Sequence, residues 1–160
     1  MRAATISPIY VKNVLNGVIK KGYNREEILR SLRLPAQILT NNKLRISTLE
    51  FANLTQAITE LLRDEGLGLL TKPTPIGSFK LLAKACLSDR DIKESLATWS
   101  EATNLINNSV SAYTRIEDEA GYIAFDYQKA DNTDGFYIAE MLLSNVHRFL
   151  CWLANDFLPT

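Results

Sequence analysis

The stretch VSAYTRIEDEAGYIAFDY at residues 110–127 decides the fold class, because its apolar residues stand mostly at every second position. Such alternation is typical of a half-buried β-strand, whose successive side chains point to opposite faces. The two alternating runs are separated by a polar cluster at residues 118–121, which predicts a turn. We therefore predict an antiparallel β-hairpin. Because an isolated hairpin is marginally stable in water, this one must pair with further strands or pack on helices.

The segments on both sides of the hairpin have apolar residues at helical spacing. Before the hairpin, a helix is predicted for residues 77–87, and Ser88 with Asp91 is predicted to cap the next helix. After the hairpin, Asp134 is predicted to cap a long last helix. The predicted buried faces are Phe79, Leu82, Ala83 and Cys86 in the first of these helices, Ile92, Leu96, Trp99 and Thr103 in the second, and Ile138, Leu142, Val146, Phe149 and Leu153 in the last.

Residues 7–62 predict further helices, each with its own start signal. The capping residues at these starts are Ser7 with Pro8, Asn24 with Glu27, and Ser47 with Glu50. A connection at residues 36–45 has room for one helical turn. The sequence therefore predicts an α+β fold that is predominantly helical, with five to seven helices and a small antiparallel hairpin or sheet packed on them.

The charges of the chain are divided unevenly along its length. The formal net charge is zero, which argues against nucleic-acid binding driven by bulk charge. Residues 1–45, however, carry a formal charge of +7, and residues 46–160 carry −7. This division could steer a partner or attract another protomer. The alternative is that the two oppositely charged parts simply face each other or solvent.

The two cysteines, Cys86 and Cys151, both lie in apolar helical runs, where a free thiol behaves as a small buried side chain. We predict buried thiols, with a disulfide or a redox switch as the alternative. The longest apolar run, residues 141–154, is interrupted by polar residues and is too short for a membrane span. No signal peptide precedes the first helix, so we predict a cytoplasmic protein without a membrane partner.

His147 is the only histidine of the chain. A nucleophilic mechanism needs a nucleophile and an orienting group near the base, and one histidine with two distant cysteines cannot build a usual zinc site. We therefore predict no catalytic residue, no metal site and no bound cofactor, and we interpret His147 as structural or pocket-lining. Residues 12–45 leave one alternative open, a DNA-binding helix-turn-helix whose second helix carries Arg25, Arg30 and Arg33.

Aromatic residues indicate where a small ligand could bind. Those that could converge where the hairpin covers two helices are Trp99, Tyr113, Tyr122, Phe125, Tyr127, Phe149 and Trp152. A cavity lined by aromatic side chains with a few polar groups is typical of ligand sites, although the same spacing also fits core packing. We predict that Trp99, Tyr113 and Phe125 supply apolar contacts and that His147 supplies a polar contact. Arg148 could pair with an anionic ligand, with a surface salt bridge as the alternative.

Several short patterns resemble the N-terminal domain of one branch of AraC-type bacterial transcription regulators, a domain that carries the family label "arabinose-binding". They are Asp64-Glu65-Gly66-Leu67-Gly68-Leu69, Pro75-x-Gly77-Ser78-Phe79, the capped helix at residues 88–96, and His147-Arg148-Phe149-x-x-Trp152-Leu153. The resemblance is weak over residues 7–45 and best over residues 64–105 and 134–159. The chain departs from the family at residues 101–103, where related domains often carry an arginine and paired aromatics, so its ligand or packing is expected to differ there.

The resemblance implies a function. It implies that residues 1–160 form a single N-terminal regulatory domain without catalytic activity, which binds an unidentified small-molecule effector, forms a homodimer, or does both. In the family, further strands and a C-terminal pair of helix-turn-helix motifs follow. We therefore expect a chain truncated before them, with an open strand edge, that reaches DNA only through the absent domain. The runner-up is a structural interaction module without a small-molecule ligand.

Overall fold

The computed structural model describes residues 4–107, 109–117 and 120–155. These residues form two compact units. The first unit comprises residues 4–73 together with Ala130–Asp134, and the second comprises residues 74–129 and 135–155 within the described ranges. The expectation that residues 1–160 act as a single regulatory domain stays a prediction.

The first unit is mostly helical and contains a very short sheet. Its elements are β1 (Thr5–Ile6), α1 (Pro8–Ile19), α2 (Arg25–Ser31), a 3-10 turn (Ala36–Leu39), β2 (Ile46–Ser47) and α3 (Thr48–Leu62). Strands β1 and β2 pair antiparallel, with Thr5 opposite Ser47. The Arg45 guanidinium supports this pairing, because it donates to the Thr5 carbonyl oxygen at 2.8 Å and to Thr5 Oγ1 at 2.7 Å. The sequence pattern did not predict this sheet, since strands of two residues are too short to show alternation.

The three α-helices of the first unit differ in how their N-termini are capped. At α3, Ser47 Oγ accepts from the Glu50 backbone N–H at 3.2 Å, and the Glu50 carboxylate accepts from the Ser47 N–H at 2.7 Å. These bonds hold the pKa of Glu50 below its usual value and confirm the predicted capping box. At α2, Asn24 Oδ1 accepts from two backbone N–H groups of the first turn. At α1, Ser7 occupies the predicted N-cap position and Pro8 follows it, but the Ser7 side chain makes no capping hydrogen bond.

Helix α1 lies with its backbone directly against the loop that follows α3. A Cβ atom placed on Gly17 of this helix would lie 1.8 Å from the Leu67 carbonyl oxygen. The loop is held by Asp64, whose buried carboxylate accepts from the Gly66 N–H at 2.7 Å and from the Gly68 N–H at 2.9 Å. The Asp64-Glu65-Gly66-Leu67-Gly68-Leu69 pattern of the sequence therefore has a structural role, because it shapes the loop surface on which α1 packs.

The second unit contains three helices and the predicted hairpin. Its elements are α4 (Ser78–Cys86), α5 (Ile92–Ile106), β3 (Val110–Glu117), β4 (Ala120–Tyr127) and α6 (Gly135–Ala154). Strands β3 and β4 pair antiparallel, with Val110 opposite Tyr127 and Glu117 opposite Ala120, so the hairpin is confirmed. Residues 118 and 119 of the predicted turn lie outside the described residues.

The start of α5 corrects one prediction. Asp91 is the N-cap of this helix, and its side chain accepts from the Glu94 backbone N–H at 2.8 Å. The predicted contribution of Ser88 is wrong, because its hydroxyl donates backwards to the Ala85 carbonyl oxygen at 3.4 Å. The cap position of α5 belongs to Asp91, and Ser88 lies three residues before it.

The hairpin is fixed to α5 by side chains that replace a third strand. Ala112 on β3 is buried, and Asn104 on α5 accepts from its N–H at 2.7 Å while donating to its carbonyl oxygen at 2.9 Å. Ser100 Oγ donates to the same carbonyl oxygen at 2.8 Å. Backbone groups that a two-stranded sheet would leave without partners are thereby satisfied. The expectation that the hairpin packs on helices is confirmed.

We expect an Asn104→Ala variant to lose about 1–3 kcal/mol in the free energy of unfolding, because the Ala112 N–H is left without an acceptor. Leu105→Ala is the matched control, since Leu105 neighbours Asn104 in the same helix and is 87% exposed. Its effect should stay within about 0.5 kcal/mol. Urea unfolding followed by circular dichroism measures both variants, and equal stabilities would contradict the role given to Asn104.

Taken together, the described ranges contain six α-helices and two antiparallel sheets of two strands each. This arrangement confirms the predicted α+β, predominantly helical fold. Within the same ranges, every helix is too short or too polar to span a bilayer.

Candidate functional site

The core of the second unit lies where α4, α5 and α6 meet. Its buried residues are Leu82, Cys86, Leu96, Trp99, Val146, Phe149 and Leu150. Every one of them except Leu150 belongs to a buried face predicted from helical spacing, so burial is confirmed for these six residues. From the hairpin, Ile123 and Phe125 pack against the same cluster and are half-buried.

Four aromatic rings, defined here as the aromatic cluster, extend from this core to the surface. Trp99 is 4% exposed and lies 4.8 Å from Phe149 between ring centroids. Trp152 stacks on Phe149 at 5.9 Å with an interplanar angle of 29°, and it is 65% exposed. Phe79 meets Trp99 and Phe149 edge to face, at 5.8 Å and 6.2 Å.

Phe79 corrects another prediction. Helical spacing predicted a buried side chain, but its ring is 47% exposed. The physical reason is its place in the first turn of α4, where Trp99 and Phe149 contact its ring edge to face and leave nearly half of the side chain exposed.

A groove of about 390 Å³ runs along this surface between α4 and α6. It is lined by Phe79, Ala83, Asn145, Arg148, Phe149 and Trp152. The α6 members stand at positions 145, 148, 149 and 152, the spacing of one helix face. Asn145 and Arg148 are the polar side chains of this lining, and both are exposed.

Arg148 was predicted to pair with an anionic ligand or to form a surface salt bridge. The described residues supply it with no carboxylate within 4 Å and no other hydrogen-bond acceptor. Its guanidinium therefore lies in the groove with its donors available. Trp99, another predicted ligand contact, lies beneath the groove, where its ring touches Phe79 and Phe149.

The structure does not bring the other predicted site residues into this groove. Phe125 packs on the core from the hairpin side. Tyr113 is 54% exposed on the face of the hairpin opposite to buried Ala112. His147 is half-buried, and its Nε2 lies 3.6 Å from Cys151 Sγ, one helical turn further along α6. Their roles as ligand contacts stay predictions.

Two lining residues, Ala83 and Asn145, were not predicted as site residues, and Phe79 was predicted only as core. The signal that could have found Asn145 is present in the sequence, because positions 145, 148, 149 and 152 follow the spacing of one helix face. No local pattern indicates that α4 supplies the opposite wall. That wall depends on how α4 and α6 pack together.

The perturbed ionisable groups of the second unit have structural causes. Burial, and next the nearby Asp89 carboxylate, raise the pKa of the Cys86 thiol to about 11. Hydrogen bonds from the Arg90 side chain and backbone N–H lower the pKa of Glu94 to about 2. Among the described residues, no group of three or more histidine, cysteine, aspartate or glutamate side chains is arranged to hold a metal ion.

Both cysteines carry free thiols, and they differ in exposure: Cys86 is 1% exposed, whereas Cys151 is half-buried. Burial was predicted for both thiols. It is confirmed for Cys86 and is only partial for Cys151.

We expect a thiol reagent such as dithionitrobenzoate to modify Cys151 in the folded protein and Cys86 only after denaturation, because reaction requires an accessible thiolate. A Cys151→Ser variant is the control and should stay unmodified until it unfolds. Rapid modification of that variant would contradict the assignment.

A family model described as the arabinose-binding domain of AraC transcription regulators, N-terminal, matches residues 22–160. The chain belongs to this family. Residues of both compact units fall within the match, and the resemblance drawn from the short sequence patterns is confirmed. The family is one of regulatory, ligand-sensing domains of transcription regulators. No curated protein and no solved structure matched the chain.

Proposed function

We propose that this AraC-family chain is a non-catalytic sensor whose small-molecule effector binds in the groove between α4 and α6. The observation that carries the proposal is the exposed aromatic and cationic surface of that groove. Phe79 and Trp152 expose large parts of their rings beside Arg148, whose guanidinium has no partner within the described ranges. A ligand in the groove could cover the exposed rings of Phe79 and Trp152 and form an ion pair with the Arg148 guanidinium.

The dimensions and chemistry of the groove support a small ligand. Its volume of about 390 Å³ falls inside the usual range of ligand pockets. Its lining is largely apolar, with Asn145 and Arg148 as polar groups that can fix orientation. The opposing walls come from rigid helices, which hold a site more accurately than loops do.

The non-catalytic part of the proposal is supported by the causes of the pKa shifts. Cys86 stays protonated at neutral pH because burial raises its pKa, which makes it a poor nucleophile. The pKa values of Glu50 and Glu94 are lowered by bonds to Ser47 and to Arg90, so these carboxylates act as caps and ion-pair partners. Sensing without chemistry requires only that the effector bind two states of the regulator with different affinities.

The proposal includes self-association through the hairpin. Its outer face carries Tyr113 and Tyr122, which are 54% and 50% exposed, and the Arg115 guanidinium lies 5.2 Å from the Tyr122 ring centroid. Tyrosine and arginine are enriched at protein interfaces. Among the described residues, β4 pairs with no strand but β3, so its other edge is open to a strand from a second copy. Contact with DNA belongs, in this proposal, to a separate domain of the regulator.

Thermal unfolding against a panel of sugars, amino acids and organic acids tests the sensor role, since a ligand that binds only the folded state raises Tm. A compound that binds in the groove should raise Tm of the wild type and lose that effect in Phe79→Ala and Trp152→Ala variants. Phe136→Ala is the matched control, because Phe136 is an aromatic on α6 that is 80% exposed and does not line the groove.

The runner-up function, an interaction module without a ligand, makes a different prediction. It requires that no compound raise Tm while sedimentation detects a dimer that dissociates on dilution. A Tyr122→Ser substitution on the outer hairpin face would then weaken the dimer. Hits that are equally effective on the wild type and on both groove variants would instead move the effector site away from α4 and α6.

A further inference from the structure

We infer that the effector is an organic anion with an apolar, ring-sized body, such as an aromatic carboxylate, and not a polyol. The inference rests on the proposed function, because it takes the groove between α4 and α6 as the effector site. It assigns the charged group of the ligand to Arg148 and its apolar body to the exposed rings of Phe79 and Trp152.

The charge of the ligand follows from Arg148. Its guanidinium presents five N–H donors in a planar fork, which matches the two oxygens of a carboxylate. The described residues give this fork no carboxylate within 4 Å and no other acceptor. Asn145 lies one turn earlier on α6 and adds an amide that can donate to the same anion. An anionic group in the groove therefore meets complementary donors from one helix face.

The body of the ligand follows from the aromatic cluster. Trp152 uses one side of its indole to stack on Phe149 and remains 65% exposed. Phe79 holds its ring edge to face against Phe149 and is 47% exposed. These surfaces and the Ala83 methyl group offer dispersion contacts and ring stacking, and the Trp152 indole N–H is their one hydrogen-bond donor.

A sugar is disfavoured by the same lining. Each hydroxyl that enters the groove gives up hydrogen bonds with water and needs a replacement partner. Asn145, Arg148 and the Trp152 indole N–H can donate to hydroxyl oxygens, but the Asn145 amide oxygen is the one side-chain acceptor in this lining. A polyol, which carries a hydroxyl donor on almost every carbon, therefore matches this lining less well than an organic anion does.

Isothermal titration with two probes that share an aromatic body, one anionic and one neutral, tests the inference. Cinnamate carries a carboxylate on an aromatic body, and cinnamamide carries a neutral amide on the same body. We expect cinnamate to bind the wild type and Arg148→Gln to weaken that binding about tenfold, the loss that follows from removing a hydrogen bond to a charged group. Arg148→Lys should recover part of the loss, and the affinity for cinnamamide should be unchanged by either substitution.

Arg30→Gln is the matched control, because Arg30 is an exposed arginine of α2 in the first unit and does not line the groove. It should bind cinnamate like the wild type. Equal affinities for the two probes, with both lost in Trp152→Ala, would overturn the inference and leave the proposed function intact. Binding of L-arabinose that is lost in Trp152→Ala would also overturn the inference and leave the proposed function intact. If neither these probes nor any compound of the panel binds, the inference and the proposed sensor role both fail.

Discussion

A Gly17→Ala variant is expected to lose at least about 3 kcal/mol in the free energy of unfolding, at the upper end of what overpacking usually costs. Alanine is the better helix former by about 1 kcal/mol, so helix propensity alone would predict stabilisation. The packing decides the opposite sign. A Cβ at Gly17 would lie 1.8 Å from the Leu67 carbonyl oxygen and 3.0 Å from the Gly68 carbonyl carbon, both of which are backbone atoms. Backbone cannot move away by a change of rotamer, so α1 must separate from the loop.

Gly22→Ala is the control for this prediction. Gly22 follows the same helix, has φ +80, and would place a Cβ with no atom within 4 Å. Its cost is therefore the conformational one alone, about 1–2 kcal/mol for a residue forced into the left-handed region. Thermal and urea unfolding followed by circular dichroism would measure both variants. If Gly17→Ala is no less stable than Gly22→Ala, the close approach of α1 to the loop is wrong.

The parts of the fold that could be predicted from the sequence are those whose partners lie close along the chain. The capping box joins Ser47 and Glu50, three residues apart, and it is present as predicted. The buried stripe of α6 follows from spacing within one helix, and Val146 and Phe149 are buried as expected. In both cases the physical cause is local, so a short stretch of sequence contains all the participating groups.

The parts that could not be predicted depend on distant partners. The contact of Gly17 with Leu67 joins a helix to a loop 50 residues later along the chain, and nothing near Gly17 indicates it. The same holds for Asn104, which appears in the sequence as one more polar residue near a helix end. Only the packing of the hairpin on α5 shows that the Asn104 side-chain amide bonds to the Ala112 backbone as a neighbouring strand would.

The candidate site was predicted in part, and its omissions have specific causes. Arg148 lines the groove and Trp99 lies beneath it, because both belong to helices whose apolar faces were recognised. Tyr113 lies on the outer face of β3, and alternation with Ala112 already indicated that placement. His147 precedes Arg148 by one residue, which on a helix turns its side chain by about 100° to another face. Sequence proximity to a site residue was thus a poor guide on α6.

The two tryptophans of the chain should differ in how much stability their substitution removes. Trp99→Ala is expected to lose about 3–5 kcal/mol in the free energy of unfolding, because it removes a buried indole and leaves a cavity beneath Phe79 and Phe149. Trp152→Ala should lose less than about 1.5 kcal/mol, the usual value of one stacked aromatic pair. Its indole is 65% exposed, whereas that of Trp99 is 4% exposed. Urea unfolding of the two variants measures this difference.

Fluorescence separates the two side chains further, because the chain contains no other tryptophan. A Trp99→Phe variant, which keeps an aromatic ring in the core, leaves Trp152 as the emitter and should emit at longer wavelength with easy quenching by acrylamide. A Trp152→Phe variant should emit from buried Trp99 and resist quenching. If an effector occupies the groove, it should protect the emission of Trp152 from acrylamide while leaving that of Trp99 unchanged. Protection of Trp99 alone would place the ligand inside the core and would contradict a surface groove between α4 and α6.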